Sequence, residues 1–165
     1  MLKLPSLICF NDYKDWTEYV EVLYSFFKKD FIDEKITYSG LKVFYIKDPM
    51  YQAKEFTFWH IISEGKVEAN RLPDLRRCER ICWPKPIIEA DAAKQIKIWD
   101  NIRANSKGKK QIRTCFCFGE WDYLVVLEKR NNYYIFCTAY PVSGSHKSKL
   151  KKEFLESSLK SKHRP

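Results

Sequence analysis

The chain has 165 residues, of which 45% are hydrophobic and 16% aromatic; this length fits one domain, and this composition excludes disorder of the whole chain. Thirty Lys and Arg residues outnumber twenty-one Asp and Glu residues, which gives a formal net charge of +9. The excess favours a polyanionic partner such as RNA, DNA or an anionic membrane face. The sequence shows no apolar run long enough for a membrane span and no secretory signal pattern, so we expect a cytoplasmic protein that does not enter a membrane.

The first predicted element is a helix over residues 15–31. Its first residue is an aspartate that can serve as N-cap, Glu18 can complete a capping box, and apolar residues follow at helical spacing. Two strands are predicted next, over residues 41–46 and 56–62, because both runs are rich in aromatic and β-branched residues.

The middle of the chain predicts two helices. A short helix fits between Pro73 and Pro84, since proline suits a first helical turn and prevents continuation further on. A longer helix is predicted over residues 88–104. Its apolar stripe would be Ala92, Ile96, Trp99 and Ile102. A basic loop ending at Lys110 follows it.

The C-terminal part predicts an antiparallel meander of three strands, over residues 111–118, 122–129 and 133–140. A period of two places four residues of the last strand on one face: Tyr134, Phe136, Thr138 and Tyr140. We therefore expect a single α+β domain, residues 1–142, and a basic C-terminal tail, residues 143–165. The tail has seven Lys or Arg and two acidic residues, and a weak apolar stripe predicts a helix that packs on the domain or is ordered on binding a partner.

Six cysteines raise the question of disulfides or zinc. No CxxC pair exists, and Cys115 and Cys117 point the same way on a predicted strand. We expect reduced and buried thiols, while a Cys and His nucleophilic pair stays open. Glycine-rich phosphate loops are also absent from the sequence, so neither a metal nor a cofactor is predicted.

His60 is the first candidate for chemistry, because it lies in the middle of the apolar stretch FTFWHII. In a strand it would share a face with Phe56, Phe58 and Ile62. Such a histidine can be structural, bonded to a carbonyl or a buried carboxylate. It can also titrate near neutral pH and transfer a proton.

Further candidates are cationic or carry hydroxyl groups. The cations are Arg76, Arg77, Arg80, Lys107, Lys109, Lys110 and Arg113. They can be solvated and paired with Asp74 and Glu79, or they can bind phosphate, because the guanidinium fork matches two phosphate oxygens. Thr138 and Tyr140 either belong to the core or supply hydroxyl groups at the end of the last strand.

The order of these signals resembles the barnase, EndoU, colicin and RelE-like group of RNase folds. The resemblance covers residues 41–142 and depends on five segments in order: FWHIISEG, DLRRCERICW, IKIWDN, EWDYLVVLEKR and YYIFCTAYPV. It implies N-terminal helices packed on a four- to five-stranded, mainly antiparallel sheet whose open face forms the active cleft.

The same resemblance implies a metal-independent RNA endonuclease of toxin or phage type, which uses the ribose 2′-hydroxyl as nucleophile. His60 would then transfer protons, Arg76 or Arg80 would hold phosphate, and Thr138 and Tyr140 would complete the site. A second acid or base is left open between Glu64, Tyr140 and His146. The implied partners are RNA, with tRNA as one candidate, and an antitoxin or immunity protein.

Two other classes explain the charge as well. One is a non-catalytic nucleic-acid-binding module, in which cations and aromatic strands bind phosphates and stacked bases. Another is a protein-interaction subunit whose basic tail binds an acidic partner. The first alternative predicts binding without cleavage, and the second predicts little affinity for RNA.

Overall fold

The computed structural model describes residues 1–90, 94–105 and 107–162, which fold as an α+β protein. The helices are α1 Trp16–Phe27, α2 Phe56–Ile61, α3 Leu75–Cys78, α4 Pro84–Glu89 and α5 Gly144–Lys162. The strands are β1 Thr37–Tyr38, β2 Leu41–Phe44, β3 Ser63–Glu64, β4 Leu72–Pro73, β5 Ile96–Ala104, β6 Lys110–Phe118, β7 Tyr123–Lys129 and β8 Tyr133–Pro141. None of the described helices is long and apolar enough to cross a membrane.

The first helix forms where the sequence predicts it. The Asp15 carboxylate accepts a hydrogen bond from the Glu18 backbone N–H at 2.9 Å, and Glu18 in turn accepts one from the Lys14 backbone N–H at 2.6 Å. The predicted apolar face is buried, and a wider π-helical turn, Lys28–Asp33, extends the helix to the predicted end. α1 is thereby anchored on the sheet by aromatic contacts such as the stacking of Phe31 on Phe136.

The strand predicted over residues 56–62 is wrong: FTFWHI forms the helix α2. Its residues favour strands, yet the helix buries Phe58 and Ile61 on one side, where Phe58 contacts the Tyr24 ring of α1 at 5.2 Å. The Thr57 hydroxyl also accepts a hydrogen bond from the Ile46 backbone N–H. Packing and local bonding thus override propensity, and His60 lies on a helix with its side chain half-buried.

The long helix predicted over residues 88–104 is also wrong. The chain forms the short helix α4 and then the strand β5, while residues 91–93, and with them Ala92 of the predicted stripe, lie outside the described residues. Ile96 and Trp99 are buried in different clusters, because successive positions of a strand point to opposite faces. A spacing of three residues between Ile96, Trp99 and Ile102 had resembled a helical stripe.

The main sheet has six strands in the order β1-β2-β8-β7-β6-β5, in place of the four or five strands expected. The predicted meander forms β6, β7 and β8, and β5 extends it in antiparallel fashion. β2 adds a parallel pairing with β8, but only along Tyr133–Ile135. The rest of β8 has a described strand partner on the β7 side alone, and α2 and α3 pack against it.

A β-bulge in β8 corrects the predicted face of four residues. Val126 pairs with Thr138 and Leu127 pairs with Phe136, so one residue of β8 is extra. Before the bulge, Tyr134 and Phe136 point into the main core. After it, Thr138 and Tyr140 point to the opposite face of the sheet, so the four residues do not share one side.

Helices cover the two faces of the sheet unequally. α1 to α4 cover one face over the main core, and we call this the covered face. α5 crosses the other face near β5, where Leu150 is buried and Phe154 contacts Trp99 and Trp121 at 5.8 and 5.7 Å. Most of the basic tail is therefore an ordered helix on the sheet. We call the remainder of the second face, toward β8 and β2, the open face.

Candidate active site

A cleft of about 380 Å³ lies where β8 ends and α5 begins, and we call it the β8–α5 cleft. Residues from β3, α3, β8 and α5 line it: Glu64, Asp74, Arg76, Arg77, Tyr140, Pro141, Ser143, Ser145, His146 and Lys149. Arginine and lysine outnumber carboxylates among them, and two hydroxyl-bearing serines and one histidine complete the wall. The composition of the cleft suits an anionic ligand.

Local structure fixes the two sides of the cleft. On one side the Asp74 carboxylate caps α3 by accepting a hydrogen bond from the Arg76 backbone N–H at 2.9 Å, which places Arg76 and Arg77 in the first turn. On the other side the chain leaves β8 and begins α5, where the Ser143 carbonyl accepts hydrogen bonds from the backbone N–H groups of His146 and Lys147. Both sides are thus set by helix starts.

Arg77 is the most buried cation that lines the cleft, with 13% of its side chain exposed. Its guanidinium lies over the Tyr140 ring at 4.9 Å, and its Nε lies 3.7 Å from the Asp74 carboxylate. Neither Nε nor Nη1 has a hydrogen-bond partner among the described residues. Burial, followed by nearby Arg71, lowers the pKa of Arg77, but a guanidinium stays charged at neutral pH. Arg77 therefore offers two unused donors beside the cleft.

Tyr140 and His146 form a hydrogen-bonded pair, with 3.2 Å between the phenol oxygen and Nε2. Burial raises the pKa of Tyr140, so its phenol stays protonated at neutral pH. Burial and the neighbouring Lys149 lower the pKa of His146, so its imidazole is mostly neutral there. In the tautomer with its proton on Nε2, the imidazole donates a hydrogen bond to the phenol oxygen, which leaves Nδ1 able to accept a proton and the phenol proton able to be donated elsewhere. A protonated phenol and a neutral imidazole thus lie next to Arg77.

His60, the first candidate from the sequence, does not line this cleft. Its Nδ1 lies 3.0 Å from the Glu68 carboxylate, and its ring stacks on Phe56 at 5.6 Å. Burial lowers the pKa of His60, which the Glu68 hydrogen bond partly offsets. The ring thus links α2 to the loop before β4, which is the structural alternative that the sequence left open.

Arg71 completes the His60 region and was not singled out from the sequence. Its Nη1 donates to the Gly65 carbonyl at 2.9 Å, and its Nη2 donates to the carbonyls of His60 and Ser63. These bonds hold the end of α2 against the β3 and β4 hairpin. No sequence signal marks this role, because it depends on carbonyl groups rather than on side chains.

The other predicted catalytic residues are dispersed. Arg76 lies on the rim of the cleft with 62% of its side chain exposed. Arg80 does not line the cleft; it bonds the Arg76 carbonyl and lies over the Trp83 ring at 5.1 Å. Thr138 is half-buried on the open face, opposite Val126. Of the five, Arg76 and Tyr140 reach the cleft.

The predicted nucleic-acid-binding residues lie in three places. Arg77 is in the cleft. Lys107, Lys109 and Lys110 are exposed at the β5 to β6 turn, which lies at the end of the sheet opposite to Pro141. Arg113 is on the open face, where its guanidinium lies 3.4 Å from the Glu128 carboxylate. The sequence therefore grouped cations that the fold separates.

Five of the six cysteines are poor candidates for a nucleophile. All six are free, and burial raises the pKa values of Cys78, Cys82, Cys115 and Cys117 to about 12 and that of Cys137 to about 11. These thiols are protonated at neutral pH and thus poor nucleophiles. Within the described part of the chain, no group of three or more His, Cys, Asp or Glu side chains could hold a metal ion.

Comparisons with protein-family models, with curated proteins and with solved structures gave no match to this chain. The resemblance to the barnase, EndoU, colicin and RelE-like group stays a prediction. A function for this protein therefore has to be inferred from the geometry of the cleft.

Proposed function

We propose that this protein is a metal-independent RNA endonuclease that cleaves in the β8–α5 cleft by attack of the ribose 2′-hydroxyl. The observation that carries the proposal is the pair of unused Arg77 donors beside the hydrogen-bonded Tyr140 and His146. Cleavage of this kind needs a base, an acid and a cation around one phosphate. The three side chains supply those three groups.

Arg77 binds the scissile phosphate. Its positive charge attracts the phosphate, and Nη1, which has no hydrogen-bond partner among the described residues, can donate to one phosphate oxygen. The charge on the phosphate oxygens grows as the 2′-oxygen attacks phosphorus, so the same contacts strengthen in the transition state. Tyr140 supports the guanidinium from below through its ring.

His146 and Tyr140 transfer the protons. The neutral imidazole accepts the 2′-hydroxyl proton while the 2′-oxygen bonds to phosphorus and the bond from phosphorus to the 5′-oxygen breaks. The Tyr140 phenol gives its proton to the departing 5′-oxygen. The imidazolium then returns a proton to the phenolate across their hydrogen bond, which restores both groups. The products are a 2′,3′-cyclic phosphate and a free 5′-hydroxyl.

The test incubates the wild type with total RNA and with a defined single-stranded RNA in EDTA, and identifies the product ends. We expect cyclic phosphate ends. His146→Ala should lower the cleavage rate about 10² to 10⁴-fold, and Tyr140→Phe should lower it by about 10². His60→Gln is the matched control, and we expect it to cleave at a rate within about twofold of the wild type.

Two outcomes would count against the proposal. Loss of cleavage in His60→Gln with full activity in His146→Ala would move the proton transfer to the other histidine. Binding of RNA without cleavage by the wild type at any concentration would favour the non-catalytic nucleic-acid-binding module.

A ribonuclease of toxin type is often held inactive by an inhibitor protein, so we include an antitoxin or immunity protein among the proposed partners. We also include tRNA among the proposed substrates.

A further inference from the structure

The open face carries an aromatic groove that the cleft does not use. A cavity of about 640 Å³ lies over the parallel pair of β2 and β8 and is lined by Lys42, Phe44, Tyr45, Asn132, Tyr133 and Ile135. Phe44 is 48% exposed, which is unusual for a phenylalanine on a strand. Its ring contacts that of Tyr133 edge to face, with 5.5 Å between centroids. The two rings are nearly perpendicular, so the pair presents the face of one ring and the edge of the other.

This groove and the cleft lie on the same face of the sheet. Val43 of β2 is buried in the main core, so Phe44 next to it points to the open face. Tyr133 and Ile135 alternate with the core residues Tyr134 and Phe136 and point the same way. The bulge then keeps Tyr140 on this side, so one strand connects the groove to the cleft.

Cations lie beside the path between them. Arg113 and Arg130 both pair with the single carboxylate of Glu128, which leaves an excess of positive charge. Arg130 Nε has no hydrogen-bond partner among the described residues. Arg103, half exposed, pairs with Glu153 of α5 at the far side of the face. The path thus combines aromatic rings with charges that suit a phosphate backbone.

We infer that the open face is a binding track for single-stranded RNA, with a base stacked on the exposed ring of Phe44, which Tyr133 supports edge to face, while the scissile phosphate lies at Arg77. This inference rests on the proposed function and adds the substrate class. Unpaired bases expose their faces for stacking, whereas the bases of a duplex are already stacked on each other. The positive charge of the track disfavours a basic partner and favours a polyanion.

The length of the track sets the length of the RNA. Tyr133 and Tyr140 are seven positions apart in β8, which corresponds to about 23 Å of extended strand. A stacked single strand rises about 3.4 Å per nucleotide, so roughly seven nucleotides join the two points. An octamer should reach both, and a dinucleotide should reach only one.

The experiment measures fluorescence anisotropy of an octamer RNA carrying 2′-O-methyl groups, which blocks attack by the 2′-oxygen and separates binding from cleavage. Phe44→Ala and Tyr133→Ala should each weaken binding about 5- to 150-fold, the range for loss of one base stacked on an aromatic ring. Phe44→Leu keeps an apolar side chain and should lose affinity as Phe44→Ala does. Phe44→Trp keeps a ring and should retain it.

Tyr51→Ala is the matched control, since Tyr51 is 62% exposed and also contacts a neighbouring ring, Trp59, but lies outside the open face. We expect its affinity to stay within about twofold of the wild type. Equal affinities for wild type and Phe44→Leu would overturn the track. So would a change in oligomeric state of Phe44→Leu without loss of RNA binding, because the rings would then serve contacts between copies.

Cleavage of an unmodified dinucleotide separates the two proposals. The Phe44 variants should cleave it at the wild-type rate, because it cannot span the track. If the wild type cleaves neither the dinucleotide nor an unmodified octamer yet binds the methylated octamer through Phe44, the track stands and the endonuclease fails. If cleavage depends on His146 while the affinity for the octamer is the same in the Phe44 variants and in the wild type, the endonuclease stands and the track fails.

Discussion

Two histidines of this protein lie near buried arginines, and the two regions differ in how many donors are already used. Around His60, Arg71 gives hydrogen bonds to the carbonyls of Gly65, His60 and Ser63 and leaves its Nε without a hydrogen-bond partner among the described residues, and the imidazole pairs with a carboxylate. Around His146, Arg77 leaves two donors without a partner among the described residues, and the imidazole pairs with a phenol in an open cleft.

The difference separates a structural cluster from a binding site. A buried donor without a partner costs stability, so a fold tolerates it where a ligand satisfies it. The pKa of each histidine is lowered by burial, so titration alone does not distinguish them. The distribution of hydrogen bonds does, and substitutions in the two clusters should therefore have different effects on cleavage and on folding.

Of the substitutions of the two arginines, Arg77→Ala should have the largest effect, and that effect is on cleavage. We expect the rate to fall about 10² to 10³-fold, since one donor group to the transition state is lost. Arg77→Lys should recover little of it, because an ammonium cannot donate in a fork. Single-turnover rates on a short RNA measure this. Arg77→Ala with a rate near the wild type would remove the cleft from the mechanism.

The second effect is on folding, in Arg71→Ala. We expect the free energy of unfolding to fall by about 2 to 3 kcal/mol, because three carbonyl groups, among them that of the buried Ser63, lose their donor. Arg77→Ala should cost about 1 to 2 kcal/mol, since it loses a contact with an aromatic ring and an ion pair with Asp74 at 3.7 Å. Chemical denaturation compares the two. A larger loss in Arg77→Ala would reverse the assignment of structural and binding roles.

The third effect is on the pH dependence of cleavage. His146 accepts a proton only when neutral, so activity should fall about tenfold per pH unit below its pKa, which lies below the ordinary value of about 6.5. Lys149 contributes to the lowered pKa of His146, so Lys149→Gln should raise that pKa and move the acid limb of the pH–rate profile to higher pH. His60→Gln should leave the limb in place. A limb that shifts in His60→Gln alone would contradict the proposal.

The smallest effect concerns the lysine turn, Lys107, Lys109 and Lys110. Replacing all three by glutamine should weaken binding of a long RNA a few-fold at low salt and reduce the slope of log affinity against log salt by up to about 0.7 per lost phosphate contact. Cleavage of a short RNA should not change, because this turn lies at the far end of the sheet. A changed cleavage rate on a short RNA would show that the lysine turn affects the β8–α5 cleft, which contradicts this expectation.

Some of this architecture can be predicted from the sequence, because it depends on interactions between residues that are close together in the chain. The start of α1 depends on Asp15 and Glu18, which bond within one turn, and the meander depends on short turns between strands. The run FTFWHII could not be assigned, because its helix is stabilised by Tyr24 and Ile46, which lie elsewhere in the chain.

The site could be predicted only in its parts. Arg77, Tyr140 and His146 were all among the candidates, but the first is far from the others in sequence, and no pattern of residues shows that α3 packs beside the end of β8. His60 attracted attention because its neighbours are apolar. Its partner Glu68 depends on a turn between two very short strands, which has no clear signal in the sequence.

The extra residue in β8 decides to which face of the sheet the later side chains of the strand point. If Cys137 paired with Val126 instead of bulging out, every later residue of β8 would move by one position in the pairing with β7, and Tyr140 would then point among the helices of the covered face, away from His146. The bulge of one residue therefore reverses the face of the sheet to which each later side chain of β8 points. An insertion of this kind can convert a side chain of the interior into one that meets a ligand, without any change in the chemistry of the residues themselves.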